Sequence, residues 1–259
     1  MLLVLDVGNT NTGVGLYEGD RLVHSWRIRS DLEKTSDEYG ILIAQLLAHR
    51  GVRADAVEGV AVACVLPPLL PVLEQMSRDY FGTHPLFVGP EVETGLVIRY
   101  EQPRDVGADR IANAVAAKAK YPLPAIIVDF STATTFDCIS AAGEYVGGAI
   151  APGIGVSLEA LFERASKLPR VPLVDPGSPI GTNTTMSIQA GIVYGTAGEV
   201  DAIVSAIAKE MSERPTVIAT GGVSRAIALQ CRTIDVVDET LTLDGIRRIY
   251  LMNVPPGRA

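Results

Sequence analysis

The sequence predicts an α/β fold built twice, each unit a mixed sheet flanked by helices, with a cleft between the two. An apolar strand at Leu2–Leu5 runs into Asp6-Val-Gly-Asn-Thr, and a second at Ala125–Val128 runs into Asp129-Phe-Ser-Thr-Ala-Thr. The two aspartates are separated by close to half of the 259 residues. Each is followed by two more strands and, further on, by a strand leading into a helix. Such self-similarity indicates an internal duplication, with a boundary at Tyr121-Pro122-Leu123-Pro124 and units of 1–120 and 121–259.

In order along the chain, Gly13–Tyr17 and Leu22–Ile28 complete a three-stranded meander after a turn at Gly19-Asp20. Asp37–His49 places Tyr39, Ile41, Leu42, Leu46 and Leu47 at near-helical spacing, with Ser36 as its cap. Val57–Val65 reads as a buried strand, Leu69–Tyr80 as a helix and Leu86–Val88 as a short strand. An Ala-rich helix is expected over Asp105–Lys120. In the second unit Thr135–Ser140 and Tyr145–Ile150 repeat the meander around Gly143-Glu144. Val217-Ile-Ala-Thr-Gly-Gly, then a helix at Val223–Leu229, repeats the later strand and helix. Long helices are expected over Ser187–Ser212 and Thr242–Met252, with Val254–Ala259 a frayed tail.

Composition narrows the function. Lys and Arg number 22 against 30 Asp and Glu, a net charge of −8, which argues against a nucleic-acid partner. With 47% hydrophobic and 20% charged residues the chain has material for a core. Cys64, Cys138 and Cys231 stand apart with no C-x-x-C pair, as free thiols of a reducing cytoplasm do. The opening residues meet Asp6 without a basic leader, so no signal peptide is expected. No run approaches the roughly 18 apolar residues of a membrane span, so no membrane is expected either.

A strand ending in Asp, then a tight Gly turn with amide and hydroxyl side chains, puts a carboxylate and several donors on one lip of a sheet. That suits a phosphate with a divalent cation beside it. An ordinary hairpin turn, with Asp and Asn capping the backbone, would look the same in a single copy. Two copies, Asp6 and Asp129, would bracket one polyphosphate, and Ala219-Thr-Gly-Gly222 adds a third glycine element between strand and helix. Lys34-Thr35 follows Glu33, so no Walker motif competes. Gly153-Ile-Gly155 lacks the third glycine of a dinucleotide fingerprint, and His24, His49 and His84 have no metal spacing.

The order and spacing of these segments resemble the type III pantothenate kinases, members of the actin-like ATPase superfamily that also holds acetate and sugar kinases. The resemblance rests on Asp6-Val-Gly-Asn-Thr, Gly107-Ala-Asp-Arg110, Asp129-x-x-Thr-Ala-Thr-Thr-x-Asp137, Gly147-Gly-Ala-Ile-x-Pro-Gly153, Gly181-x-Asn-Thr184 and Thr220-Gly-Gly222. It implies two ribonuclease H-like domains, a homodimer, and ATP-dependent phosphorylation of pantothenate to 4'-phosphopantothenate, the first step of coenzyme A biosynthesis. It also implies no inhibition by coenzyme A. By the same resemblance Asp109 is the general base, a role that suits a carboxylate although a first-turn helix acid alone would explain it. Gly107, Ala108, Asp109 and Arg110 shape the pantothenate site, Tyr100 lines it, and Thr184 reaches it from the dimer partner.

ATP falls by resemblance to Asp6, Val7, Gly8, Asn9, Thr10, Asn11, Thr12, Gly13, Thr132, Gly221 and Gly222. Asp6 would meet Mg²⁺, and Asp129 a monovalent cation, K⁺ or NH₄⁺, for which hard oxygen donors are suited. Asp137 fits the pattern without a role. Two positions depart from it. Ser131 stands where the family has glycine; were φ positive there, the side chain would cost on the order of 1–2 kcal/mol and crowd ATP. Weakened ATP binding with activity retained is the expectation, unless the hydroxyl donates to phosphate. Thr182 stands where a basic residue is frequent. A non-catalytic homologue and a sugar or acetate kinase are the rival readings.

Overall fold

A computed structural model describes residues 1–89, 91–165 and 167–254. Most of the tail expected over Val254–Ala259 lies outside the described residues. The first strand, β1 (Leu2–Val7), has Leu3, Val4, Leu5 and Val7 buried, an apolar run rather than an alternation. That pattern belongs to a strand covered on both faces, and β1 is central. It pairs antiparallel with β2 (Asn11–Glu18) and parallel with β4 (Gly59–Cys64). β3 (Arg21–Arg29) and β5 (Leu86–Phe87) are the edges of a sheet ordered β3-β2-β1-β4-β5.

The second sheet is ordered β10-β9-β6-β7-β8, the same order read from the other edge. Its central strand, β6 (Ala125–Phe130), is wholly buried, antiparallel to β7 (Ala133–Ile139) and parallel to β9 (Thr216–Gly221). β8 (Tyr145–Pro152) and β10 (Val236–Val237) close it. The duplication expected from the sequence is thus a repeat of topology, and the ribonuclease H-like expectation holds for both units.

Helices α1 (Ser36–His49) and α2 (Leu70–Phe81) pack together in the first unit, with Tyr39, Ile43, Leu47, Leu73 and Met76 in its core. The cap of α1 is Thr35 rather than Ser36. Thr35 and Glu38 form a reciprocal capping box, with Glu38 N–H donating to Thr35 Oγ1 (3.3 Å) and Thr35 N–H to Glu38 Oε2 (2.8 Å). α3 (Ala108–Lys120) starts three residues later than expected, because Pro103–Asp105 makes its own single turn ahead of Gly107. α4 (Ile154–Arg164) was not anticipated: Pro152 and Gly153 look like loop punctuation, but Gly153 is the helix cap and Ile154 is buried behind it. α5 (Thr184–Ala208) begins earlier than expected, capped by the Asn183 side chain accepting from Met186 N–H at 2.9 Å. α6 (Ser224–Ala228) is one short turn, and α7 (Leu241–Asn253) is close to its expected span.

The observed division corrects the end of the expected second unit. Compact unit one comprises Met1–Gly95, Glu101–Ala116 and the segment from Leu241 onward; unit two comprises Leu96–Tyr100 and Ala117–Thr240. The α7 helix packs on β1 and β4. Tyr17 O–H donates to Asp244 (2.7 Å), Thr242 O–H to Asn113 Oδ1 (2.7 Å), and Arg247 to Asp20 (2.8 Å). A side chain at Gly245 would overlap the Ala112 carbonyl, so α7 lies directly against α3. A repeat in sequence does not reveal where a terminal helix docks.

A further correction concerns α5. By length and composition it is apolar enough to cross a membrane, contrary to the expectation that no run is. One such helix is weak grounds for a span, and α5 buries Val193, Val200 and Val204 in the core of unit two.

Candidate active site

In unit one the β1–β2 hairpin carries the first phosphate-binding candidates. Asp6 ends the apolar strand with its backbone opposite Gly13 on β2 and Ala63 on β4. Gly8 N–H donates to the Asn11 carbonyl (3.1 Å), which folds the tip and leaves Asn9, Thr10 and Asn11 exposed. The lip expected from the sequence is present on these residues. Two members of the set are placed otherwise: Val7 is buried, and Thr12, also buried, shares a 2.8 Å hydrogen bond with Ser30 Oγ. The Thr12 hydroxyl therefore ties β2 to the end of β3.

Asp109 lies in the first turn of α3, a position the helix dipole favours for an acid. Its Oδ1 accepts the Arg110 N–H at 2.8 Å. A Cβ at Gly107 would come within 2.5 Å of that same oxygen, so a side chain there would turn the carboxylate aside. Burial pushes the Asp109 carboxyl above the ordinary carboxylate range, while the Arg110 N–H bond and the Arg110 charge pull the other way. Arg110 is itself buried, and Ala108 opens the helix. Sequence spacing brings Gly107, Asp109 and Arg110 together as expected.

In unit two the equivalent hairpin is β6–β7. Asp129, 7% exposed, pairs in register with Thr220 on β9 and Thr135 on β7. Gly221 has φ +91°, and a Cβ there would lie 2.5 Å from Asp129 Oδ1 and from the Phe130 carbonyl. The glycine is demanded twice, by the left-handed backbone and by the carboxylate beside it. Thr220 Oγ1 is fully buried without a hydrogen-bond partner, which makes it an orphan beside Asp129. Gly222 is exposed, and Ser224 O–H donates to the Gly221 carbonyl (2.8 Å).

Ser131 and Thr132 form the exposed tip of this hairpin. Among the described residues only glycines have positive φ, so Ser131 carries none of the strain anticipated for it. Its hydroxyl turns back to donate to the Ala133 carbonyl at 3.1 Å. A side chain at Gly153 would overlap the Thr132 carbonyl and lie 2.6 Å from that of Ser131, so the Pro152-Gly153 segment braces the tip from behind.

Tyr100, 37% exposed, stands edge-on to the Tyr145 ring, with centroids 6.4 Å apart, and near Gly147, whose φ is +118°. Thr184 is exposed at the first position of α5, and Gly181 is held to glycine by overlap with Ser187 N. Thr182 donates to the Met186 sulfur at 3.6 Å. Sequence reasoning quoted Thr220 within its glycine motif without giving it a role, and missed Tyr145. The signal for Thr220 was a hydroxyl closing the apolar run Val217-Ile-Ala; for Tyr145 there was none beyond its place after a turn. Among the described residues no three of His, Cys, Asp or Glu gather to hold a metal.

Comparison with known proteins follows the same lines. Residues 2–206 match the family model described as Type III pantothenate kinase. The Type III pantothenate kinase of Geobacter sulfurreducens is 54% identical over 98% of this chain and 99% of its own, and that of Syntrophus aciditrophicus 51% over 98% and 100%. Among solved structures, the activator of 2-hydroxyisocaproyl-CoA dehydratase from Clostridium difficile, with bound ADPNP, aligns with TM-score 0.57 at 15% identity, covering 96% of this chain and 93% of that one. The ROK hexokinase of Thermus thermophilus aligns at 0.51 and 14% identity, covering 96% and 97%. These two share the fold, that of the actin-like ATPases.

Proposed function

The chain belongs to the type III pantothenate kinase family, and from that membership we propose how its residues divide the work of the reaction. The enzyme transfers phosphate from ATP to pantothenate, giving 4'-phosphopantothenate in the first step of coenzyme A biosynthesis. Full-length similarity to pantothenate kinases decides against a sugar or acetate kinase.

Asp109 is the general base. The primary hydroxyl of pantothenate attacks the γ-phosphate of ATP, and the Asp109 carboxylate takes the hydroxyl proton as the O–P bond forms and ADP leaves. The single observation that supports this is a half-buried carboxyl whose proton affinity is raised by its desolvation, with Oδ1 fixed by the Arg110 N–H beside Gly107. Gly107, Ala108, Arg110 and Tyr100 form the pantothenate site, joined by Thr184 of the partner subunit. Gly8, Asn9, Thr10, Asn11 and Thr132, exposed or half-buried on their hairpins, take the ATP phosphates with Gly221 and Gly222 alongside.

Residues present suit the two ions that the family implies. Asp6 is a half-buried carboxylate at the end of β1 beside the exposed hairpin tip, a place where Mg²⁺ could meet one protein oxygen and keep water and phosphate in most of its shell. When bound, Mg²⁺ and a monovalent ion offset phosphate charge. Asp129 would hold K⁺ or NH₄⁺, and the orphan Thr220 hydroxyl beside it is a neutral oxygen of the right kind. A homodimer is consistent with the exposed apolar side chains Ile150, Ile180 and Leu229 of unit two. Three free thiols fit the cytoplasm; burial, with Asp201 nearby, pushes Cys231 up to about 12. The net charge of −8 speaks against nucleic acid, and nothing in the reaction calls for a membrane.

The test is the pH dependence of kcat/KM for pantothenate. A base must be ionised to act, so the rate rises with pH along a limb placed above the ordinary carboxylate range. A limb within the ordinary range, or none, would overturn the assignment of Asp109.

A further inference from the structure

Asp137 is fully buried in the middle of β7, and both of its carboxylate oxygens are engaged: Tyr145 O–H donates to Oδ1 at 2.8 Å and Thr135 O–H to Oδ2 at 3.2 Å. A carboxylate costs more to bury than an apolar side chain at the same place, on the face of β7 shared with Thr135, so a purely structural role explains it poorly. What it does hold is the Tyr145 phenol. A buried tyrosine ring tethered at its hydroxyl has one position, whereas an untethered ring can slide and turn.

Tyr145 in turn anchors the segment that carries Tyr100. Its N–H donates to the Val97 carbonyl (2.9 Å) and its carbonyl accepts the Arg99 N–H (2.8 Å), which makes a parallel bridge at Ile98. The Arg99–Glu144 ion pair beside it (2.6 Å) is exposed and adds little. Tyr100 then rests edge-on against the Tyr145 ring, 6.4 Å between centroids, over Gly147, where a Cβ would already stand 3.8 Å from the Tyr100 ring. The seat of Tyr100 is therefore made by the Tyr145 ring, with Gly147 beside it.

We propose that Asp137 is a positioning residue for pantothenate binding, acting through the Tyr145 phenol on the Tyr100 ring. This rests on the assignment of Tyr100 to the pantothenate site. Steady-state kinetics of the full chain, varying pantothenate at saturating ATP and then the reverse, test it on four variants. Tyr145→Phe and Asp137→Leu are expected to raise KM for pantothenate about fivefold, with kcat and the KM for ATP within about twofold of wild type. Asp137→Asn keeps an oxygen to accept the phenol proton and is expected to restore most of the affinity lost in Asp137→Leu. Tyr100→Ala is the control for the underlying assignment and is expected to raise the same KM. If Tyr100→Ala raises it while Tyr145→Phe does not, the inference is overturned and the Tyr100 assignment stands. If Tyr100→Ala leaves it unchanged, the assignment itself fails. Equal increases in both KM values, with a lower Tm, would reduce Asp137 to a structural residue. Should Asp137→Leu not fold, the milder Tyr145→Phe decides alone.

Discussion

The two hairpins that open the two sheets share a topology and differ in what surrounds their aspartates. Asp6 pairs in register with Ala63 and Gly13, two residues whose own side chains carry no oxygen. Asp129 pairs with Thr220 and Thr135, and sits against the bare Cα of Gly221. Asp6 is half-buried, while Asp129 is nearly closed off. A duplicated strand framework thus supplies two carboxylates in different surroundings, and the proposed division of labour, Mg²⁺ at the half-buried Asp6 and a monovalent cation at the enclosed Asp129, follows that difference.

Exchanging the ionic dependences is the strongest way to break that comparison. Asp6→Asn and Asp129→Asn should each lower kcat by about a hundredfold or more, as loss of charge stabilisation does at a phosphoryl-transfer site. Asp6→Asn should shift the Mg²⁺ titration, and Asp129→Asn the K⁺ or NH₄⁺ titration; identical shifts in both variants would dissolve the distinction. Second in size are the glycines behind each tip. Gly153→Ala forces a methyl into the Thr132 carbonyl and should lower stability by about 1–3 kcal/mol in a denaturant titration. At Gly8 a Cβ would stand 3.1 Å from the Asn11 carbonyl, a milder contact, so Gly8→Ala should cost less.

Thr220→Val should weaken activation by the monovalent cation several-fold and leave the Mg²⁺ titration alone. Without that cation it should raise Tm, because it removes a buried hydroxyl that has no partner. A lower Tm under those conditions would mean that the hydroxyl is satisfied within the protein. The smallest effect is expected at the tip itself. Ser131→Gly should leave the KM for ATP within about twofold, since Ser131 is unstrained and its hydroxyl is turned to Ala133. A large gain in ATP affinity would restore the crowding first suspected from the sequence.

Much of the framework was legible because it is written in local patterns. The apolar runs ending in Asp6 and Asp129 gave both central strands, and the glycine motifs gave Gly107, Gly153 and Gly221, each of which meets a neighbour too close for a side chain. The docking of α7 on the first unit was not legible, since its apolar face would suit either sheet. Helix α4 was hidden by the Pro152-Gly153 punctuation that caps it. The roles of Thr220 and Tyr145 escaped because what singles these residues out, a hydroxyl left alone and a phenol tethered to Asp137, exists only across strands. The strain expected at Ser131 depended on a φ angle that residue types alone do not report.

Asp109→Asn tests the central claim most directly when activity and stability are measured on one preparation. Burial raises the carboxyl in the folded state, so its contribution to stability is complete below the unfolded pKa and is lost as pH rises through the folded one. Where the carboxyl is ionised it is therefore a net cost to the fold. The variant should lose about a hundredfold or more in kcat/KM for pantothenate while its Tm at pH 7 matches or exceeds that of wild type, an advantage that disappears below the ordinary carboxylate range. Full retained activity, or an activity loss matched by a fall in Tm, would contradict Asp109 as the base.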